Sequence, residues 1–331
     1  MQTVLHLVDD RNPGGVTRYL DFIAADPAMS RLARHEIRHV SRSRPAATDL
    51  SGADVIVSHL AISWRGLPGL IALRARTADR RLIHVEHSYS AGFTAHNVRS
   101  RRRFRTLLKT AYALFDQVVA VSGTQGRWLE RRGLVAPEAL TVIPPCVDLA
   151  PFRALPRPEG PLRVLAAIGR FDRQKGFDLL LRAFREVPGP ELRLHLIGDG
   201  PERARLEEIA AGDPRIVFKG FAEDVATALA GADAVAMPSR WEPYGLVALE
   251  AMAAGRPLLA APVDGLCDHA AAGAIAVAEQ TPAAWREAIL ALAEGRSAPV
   301  PLGRAAFAEA ATAAGWRLLL AEVPAAELAE A

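Results

Sequence analysis

Cysteine, lysine and long apolar runs are all scarce in this chain. Cys146 and Cys267 are the only cysteines in 331 residues. Two are too few for a disulfide framework or a thiolate zinc cage, and they suit a reducing cytosol. No run of 18 apolar residues occurs, so a membrane-spanning helix is not expected. The first ten residues contain Asp9 and Asp10 and no basic stretch, so no secretory leader is expected. Lysine is confined to Lys109, Lys175 and Lys219, leaving 37 of the 40 basic residues as arginine. The net charge is only +3 and the basic residues are spread, which argues against nucleic acid as the default partner. Gly-x-Gly-x-x-Gly and Asp-x-Asp are both missing, so neither a dinucleotide fingerprint nor a paired-carboxylate metal motif is present.

Half the residues are hydrophobic and 23% are charged, enough for a large core. Apolar runs alternate with helical patterns. Thr3–Val8, Asp54–Ser58, Arg81–Glu86, Gln117–Ser122 and Leu140–Pro144 read as strands in the first half. Arg163–Ile168, Arg193–Ile197, Arg215–Phe218, Ala234–Met237 and Pro257–Ala260 read as strands in the second. Helical patterns include Gly176–Val187, Pro201–Ala211, Gly245–Ala254, Thr281–Ala293 and Gly303–Glu322. Between the halves, Pro151, Pro156, Pro158, Gly160 and Pro161 crowd one short stretch, which reads as a linker. The alternation predicts an α/β chain of two doubly wound, Rossmann-like domains facing a cleft. The expected boundaries are 1–150, a linker at 151–161, 162–305, and a C-terminal helix at 306–331 that packs back on the first domain.

Chemistry concentrates at strand-to-helix turns. The first strand runs into Asp9–Arg18, where Gly14 and Gly15 let backbone amides approach a ligand, or simply make a tight turn. In Ile168–Leu180, Gly169, Arg170 and Lys175 flank a loop that opens a helix at Gly176. Two cations beside a helix N-terminus suit a diphosphate. Leu196–Arg203 is another turn with two glycines. Pro238–Pro257 carries Glu242 in a loop and Glu250 about one and a half turns into a helix. Glu250 is surrounded by Leu246, Val247, Leu249, Met252 and Ala253, so its carboxylate needs a partner. A ribose diol is one such partner; a solvent-reaching or helix-capping glutamate is the alternative.

The Glu-x7-Glu spacing within PSRWEPYGLVALEAMAAGRP resembles the signature of family 4 (group 1) retaining glycosyltransferases of the GT-B fold. IGRFDRQKG, LIGDGPER and GFAEDV resemble three further motifs of that family, in order. AVSGTQGRWL and VIPPCVD fit as well, so the likeness spans nearly the whole chain. The resemblance implies that a nucleotide-diphosphate sugar, UDP-linked by frequency in the family, is the donor, with no cofactor and no metal. It implies that Arg170 and Lys175 hold the diphosphate and that Glu250 binds the ribose. Glu242 would face the donor sugar, the amides near Gly15 would touch phosphate, and Gly245 and Leu246 would offer amides nearby. His87, in HVEHSYSAG, is the candidate for the histidine that contacts the donor 6-hydroxyl; a structural histidine is the alternative reading. The catalytic candidates are therefore His87, Glu242, Arg170 and Lys175. The chain departs from the family at Pro144–Asp148, where Asn-Gly is replaced by Pro145-Cys146, and at Asp264–Asp268, where Asp264 stands for a glycine and Asp268 for a glutamate.

The implied acceptor is a glycan or a lipid-linked molecule in surface polysaccharide or glycolipid synthesis, with the protein in the cytoplasm. Arg99, Arg101, Arg102, Arg103 and Arg105 precede an apolar stripe at Phe104, Leu107, Leu108, Ala111, Tyr112 and Phe115. That pattern reads either as a core-facing helix or as a basic turn that meets anionic lipid. A non-catalytic GT-B-like scaffold, and a phosphorylase or epimerase on the same fold, are the alternative functions.

Overall fold

A computed structural model describes residues 1–10, 14–296 and 303–321. Arg11, Asn12 and Pro13 of the first glycine loop lie outside the described residues, as does the chain beyond Ala321. Two compact units result: Met1–Asp148 with the segment from Ala308 onward, and Leu149–Phe307.

Unit 1 holds six parallel strands, β1 (Thr3–Val8), β2 (Arg34–His39), β3 (Val55–Ser58), β4 (Arg81–Glu86), β5 (Gln117–Ala120) and β6 (Leu140–Val142), in the order β2-β1-β3-β4-β5-β6. The central strands are continuous apolar runs because both faces are covered, as parallel sheets require. Unit 2 repeats the plan with β7 (Val164–Ile168), β8 (Arg193–Ile197), β9 (Ile216–Gly220), β10 (Ala234–Met237), β11 (Leu258–Ala260) and β12 (Ile275–Ala276), in the order β12-β11-β10-β7-β8-β9. In each sheet the strand order reverses once, between β1 and β3 and between β7 and β10. A ligand-binding crevice forms at the carboxyl ends of such strands.

Three local differences from the sequence reading have clear causes. Arg34–His39 is a strand although its sequence, RHEIRH, holds one apolar residue. It is the sheet's edge, where charge is tolerated and blunts further pairing. Ala150–Arg153, inside the stretch read as linker, is a helical turn. Pro151 sits in its first turn, where the missing N–H costs nothing. The C-terminal helical stretch is two elements, a 3-10 turn at Gly303–Phe307 and a helix at Ala308–Ala321. Glu322, read as part of it, lies outside the described residues. The Ala308–Ala321 helix belongs to unit 1: the Thr312 hydroxyl donates to the Pro144 carbonyl (2.8 Å), Trp316 Nε1 donates to the Tyr19 hydroxyl (2.9 Å), and Arg81 donates to the Leu319 carbonyl (2.7 Å).

The basic helix resolves as Arg101–Tyr112. Leu107, Leu108, Ala111 and Tyr112 are buried in the unit 1 core, so its apolar stripe faces the protein. Arg101, Arg102, Arg103 and Arg105 are exposed on the other side, as is Arg99 just ahead of the helix. The Arg103 guanidinium lies 5.6 Å from the ring centre of Trp64, itself 42% exposed.

Candidate active site

In unit 2 the loops after β7, β8, β10 and β11 are stitched together at one sheet end. The Gly169 amide donates to Ile197 (3.0 Å), Phe171 to Asp199 (2.8 Å), Arg240 to Gln174 (2.8 Å) and Gly265 to Glu242 (2.9 Å). Both Arg240 terminal nitrogens also reach Asp178, each at 2.9 Å, tying the β10 loop to the first turn of the Phe177–Arg185 helix. Burial would raise the Asp178 carboxyl, but the hydrogen bonds and charge from Arg240 prevail and lower it.

Gly176 makes the closest approach. It caps the Phe177–Arg185 helix at φ 68°, and a Cβ there would stand 2.1 Å from the Pro238 carbonyl oxygen. Only glycine fits this left-handed position against that backbone. Gly176→Ala is expected to cost about 1–3 kcal/mol from strain alone, and more from the clash. Urea unfolding would measure it; a change under 1 kcal/mol would contradict this packing.

The central contact bridges the point where the unit 2 strand order reverses. Lys175 Nζ, from the β7 loop, donates to Glu242 Oε2, from the β10 loop, at 2.5 Å. The Ser239 hydroxyl donates to the same oxygen at 3.3 Å. Gly169 packs on the Lys175 stem and Gly245 on Glu242 Cγ: a Cβ on either glycine would sit 3.2 Å from those carbons. Leu246 opens the Leu246–Ala253 helix with Gly245 as its N-cap. Glu250 lies inside that helix with no exposed surface. Arg170 is exposed beside Gly169, outside the Lys175–Glu242 contact. Thus Gly169, Lys175, Glu242 and Gly245 meet directly, while Arg170 and Glu250 occupy the rim and the interior of the same loop system.

Asp264, the departure from a family glycine, sits at φ 44°, the backbone region that glycine adopts without cost. Its carboxylate accepts the Glu242 amide at 3.2 Å. The substitution thus adds a side-chain brace to Glu242 at a strained position.

In unit 1, Gly14 is the N-cap of the Gly15–Ala25 helix in an extended conformation. His87 lies just past β4 and partly exposed. His84 and Glu86, on the opposite face of that strand, are buried and 3.4 Å apart. Glu86 also accepts from the Tyr112 hydroxyl (2.7 Å) and from the Ser88 and Tyr89 amides (2.7 and 2.8 Å). Burial alone would raise the Glu86 carboxyl; His84, Tyr112 and the Tyr89 amide more than offset it and hold it low. Burial pushes His87 down to about 4, with Glu86 opposing and His84 adding to the shift.

His87 does not stand alone. Its Nε2 lies 2.8 Å from His59 Nδ1, His59 Nε2 lies 2.9 Å from His6 Nδ1, and His6 Nε2 lies 3.0 Å from His35 Nδ1. His6, His35 and His59 were not among the residues singled out from the sequence. A histidine interrupting an apolar strand run, as in TVLHLV and VIVSHL, was the available signal. Burial lowers His6 and His59 well below the ordinary value of 6.5, helped by the neighbouring rings. Burial also lowers His35, against the Met29 carbonyl.

The family model described as "Glycosyltransferase Family 4" matches residues 4–151, and the one described as "Glycosyl transferases group 1" matches residues 163–295. The chain belongs to the group 1, family 4 glycosyltransferases. Its two units are the two Rossmann-like halves of the GT-B fold. Among solved structures, this family member resembles HepE of Anabaena, crystallised with UDP-glucose, with a TM-score of 0.70, 19% identity and full coverage of both chains. It also resembles WaaG, a glycosyltransferase of lipopolysaccharide biosynthesis, with a TM-score of 0.65 and 19% identity over 93% of this chain and 94% of that one. In sequence it is 34% identical over 223 residues to a D-inositol 3-phosphate glycosyltransferase of Segniliparus rotundus, covering 59% of this chain and 48% of the relative. It is 37% identical over 105 residues to the lipopolysaccharide core glycosyltransferase LpsE of Rhizobium meliloti, covering 31% of this chain and 30% of that one. The chain spans about half the length or less of the curated relatives it matches.

Proposed function

We propose that this chain transfers a sugar, with retention of configuration, from a nucleotide-diphosphate sugar, UDP-linked, to a glycan or lipid-linked acceptor in surface polysaccharide or glycolipid synthesis. The carrying observation is the Lys175–Glu242 contact across the strand-order reversal of unit 2. The curated relatives named above are glycosyltransferases, and the HepE crystal holds UDP-glucose.

Charge dictates the division of labour. Negative charge grows on the diphosphate as the glycosidic bond breaks. Lys175, the exposed Arg170 and the amides at Gly245 and Leu246 supply positive potential for it, where electrostatic help lowers the barrier most. The anomeric carbon gains oxocarbenium character. Glu242, held by Lys175, Ser239 and Asp264, offers carboxylate oxygen to the donor sugar hydroxyls. Glu250 holds the ribose, which requires its helix to admit the diol to a carboxylate that is buried in this structure. In unit 1, the amides at Gly14 and Gly15 are assigned to phosphate and His87 to a donor-sugar oxygen. No step in this scheme uses a metal, and unchanged turnover in EDTA would accord with it.

The test is a thermal-shift panel with UDP, GDP, ADP and their sugar conjugates, on the wild type and on Glu250→Gln. A ligand at 100 times its dissociation constant adds about 2.7 kcal/mol to native stability. A shift selective for uridine nucleotides and lost in Glu250→Gln is expected. Absence of a shift with every nucleotide would overturn the reading.

We also assign the exposed arginines at Arg99, Arg101, Arg102, Arg103 and Arg105 to peripheral contact with an anionic membrane. No described helix is long and apolar enough to cross one. Each basic residue near such a surface contributes about 1 kcal/mol at low salt. Co-sedimentation with anionic vesicles that fades as salt rises is expected. Equal sedimentation with neutral and anionic vesicles would remove the assignment.

A further inference from the structure

The Leu67–Arg76 helix of unit 1 is apolar on more than the side it buries. Leu67, Leu70 and Leu73 enter the unit 1 core. Gly69 seats a second side against the loop after β2, where a Cβ would stand 2.5 Å from the Ser43 carbonyl oxygen. The outer side carries Pro68, Ile71, Ala72 and Ala75, all exposed. Their spacing, i, i+3, i+4 and i+7, is that of one helical stripe. Trp64 stands at its head, in the turn that enters the helix. Trp64 is 42% exposed and Ile71 49%. A helix that is apolar all round is a helix covered all round, by protein or by lipid. Among the described residues this stripe is bare.

The surrounding charge points to what covers it. Residues 55–115 hold ten arginines and Lys109 against two acids, Asp79 and Glu86, and Glu86 is buried. The whole chain carries only +3, so positive charge is concentrated here. Arg65 is exposed beside Trp64. The Arg103 guanidinium, 5.6 Å from the Trp64 ring centre, brings the basic turn of the Arg101–Tyr112 helix to the head of the stripe. Arg74 and Arg76, two residues apart, leave the helix on opposite sides of it. Both are anchored to the protein, Arg74 to Asp116 (2.8 Å) and Arg76 to the Thr48 carbonyl (3.2 Å). An apolar stripe bordered by arginine, with a tryptophan at the boundary, matches the layers of an anionic bilayer surface: hydrocarbon within, phosphate outside and amphipathic rings between. A second copy of the chain would set this patch against like charge, which opposes association.

We propose that the outer face of the Leu67–Arg76 helix, with Trp64 at its head, inserts into the interface of an anionic membrane while the surrounding arginines hold lipid phosphates. This rests on the membrane contact assigned above and adds to it the inserted element and its apolar residues. The position suits the chemistry. Tyr89, in the loop that carries His87, donates its hydroxyl to the Ile62 carbonyl, in the loop that carries Trp64. The inserted face thus adjoins the loop assigned to the donor sugar, as an acceptor held in that membrane by a lipid requires.

Trp64 makes the test direct, because the other four tryptophans, Trp128, Trp241, Trp285 and Trp316, are buried. The full chain is mixed with vesicles of phosphatidylcholine and phosphatidylglycerol in equal parts, and with phosphatidylcholine alone. On the mixed vesicles, Trp64 emission is expected to shift to the blue and to be quenched by lipids brominated on their acyl chains. Trp64→Phe should still bind and should lose the quenching. Ile71→Gln changes an exposed residue without changing charge, and circular dichroism would check that it folds. It should weaken binding to the mixed vesicles about tenfold, with the salt dependence unaltered. Wild-type binding without quenching, together with equal binding of Ile71→Gln, would overturn the insertion and leave the arginine contact standing. No wild-type binding to the mixed vesicles would overturn both. A concentration-dependent dimer in the absence of lipid, lost in Ile71→Gln, would also overturn the proposal by giving the stripe to a second copy.

Discussion

Lys175→Met is expected to lower kcat for sugar transfer by about 10²–10³, with a smaller change in KM for the donor. Methionine keeps most of the length of the stem that packs on Gly169 and removes the charge. The ammonium stands 2.5 Å from Glu242 and its side chain is only 18% exposed, so it acts in a partly water-excluded setting. There a cation aimed at developing phosphate charge is worth far more than in water. The same substitution leaves the Glu242 carboxylate, 10% exposed, without its cation, and a stability loss of about 1–3 kcal/mol should accompany it. Two measurements separate the effects. Lys175→Met/Glu242→Gln should regain stability, because a neutral amide no longer needs the ammonium. Turnover of Lys175→Met, measured at a temperature where that variant is fully folded, should stay low; turnover near the wild type there would reduce Lys175 to a structural partner.

Stability should fall steeply in mild acid. His6, His59 and His87 are held neutral below the ordinary value of 6.5, His87 down to about 4, and His35 is lowered as well. Between those values the unfolded chain binds protons that the folded chain does not. The folded state is therefore undiminished above about pH 7 and loses stability as pH falls through 6.5 toward 4. A single ring shifted as far as His87 contributes a loss of about 2 kcal/mol between pH 7 and pH 5, and His6 and His59 add to it in the same direction. Glu86, held below its ordinary 4.5, adds a loss in the same direction at still lower pH. Urea unfolding at half-unit steps would give the slope, with net proton uptake on unfolding near pH 5.5. A flat profile from pH 7 to pH 5 would contradict the neutral histidine chain.

How much was legible in the sequence differs between the two units. In unit 2 the motifs lie in single loops, so Gly169, Lys175, Glu242, Gly245 and Glu250 could be named from spacing and resemblance. Their backbone needs are local: Gly176 must accept a left-handed turn whatever its neighbours are. The hydrogen bond between Lys175 and Glu242, 67 residues apart, was not legible, because it depends on β10 pairing directly with β7. In unit 1, Gly14, Gly15 and His87 can be named from turn chemistry and resemblance, whereas His6, His35 and His59 belong to no local motif. The edge strand Arg34–His39 escaped notice because hydrophobic periodicity finds strands buried on both faces, and an edge has no need to be apolar.

The sequence by itself determined the alternation of strand and helix, the turns between them and the residue types at each turn. These follow from apolar periodicity, glycine torsions and charge spacing, all properties of a few neighbouring residues. Only the tertiary structure decided which strands adjoin and in what register. Register is a long-range choice, made by burying whole faces at once, and a slip of one residue reverses every side chain. That choice brings Lys175 to Glu242 where the unit 2 strand order reverses, and it sets His35, His6, His59 and His87 in one row beneath Trp316 and Tyr19.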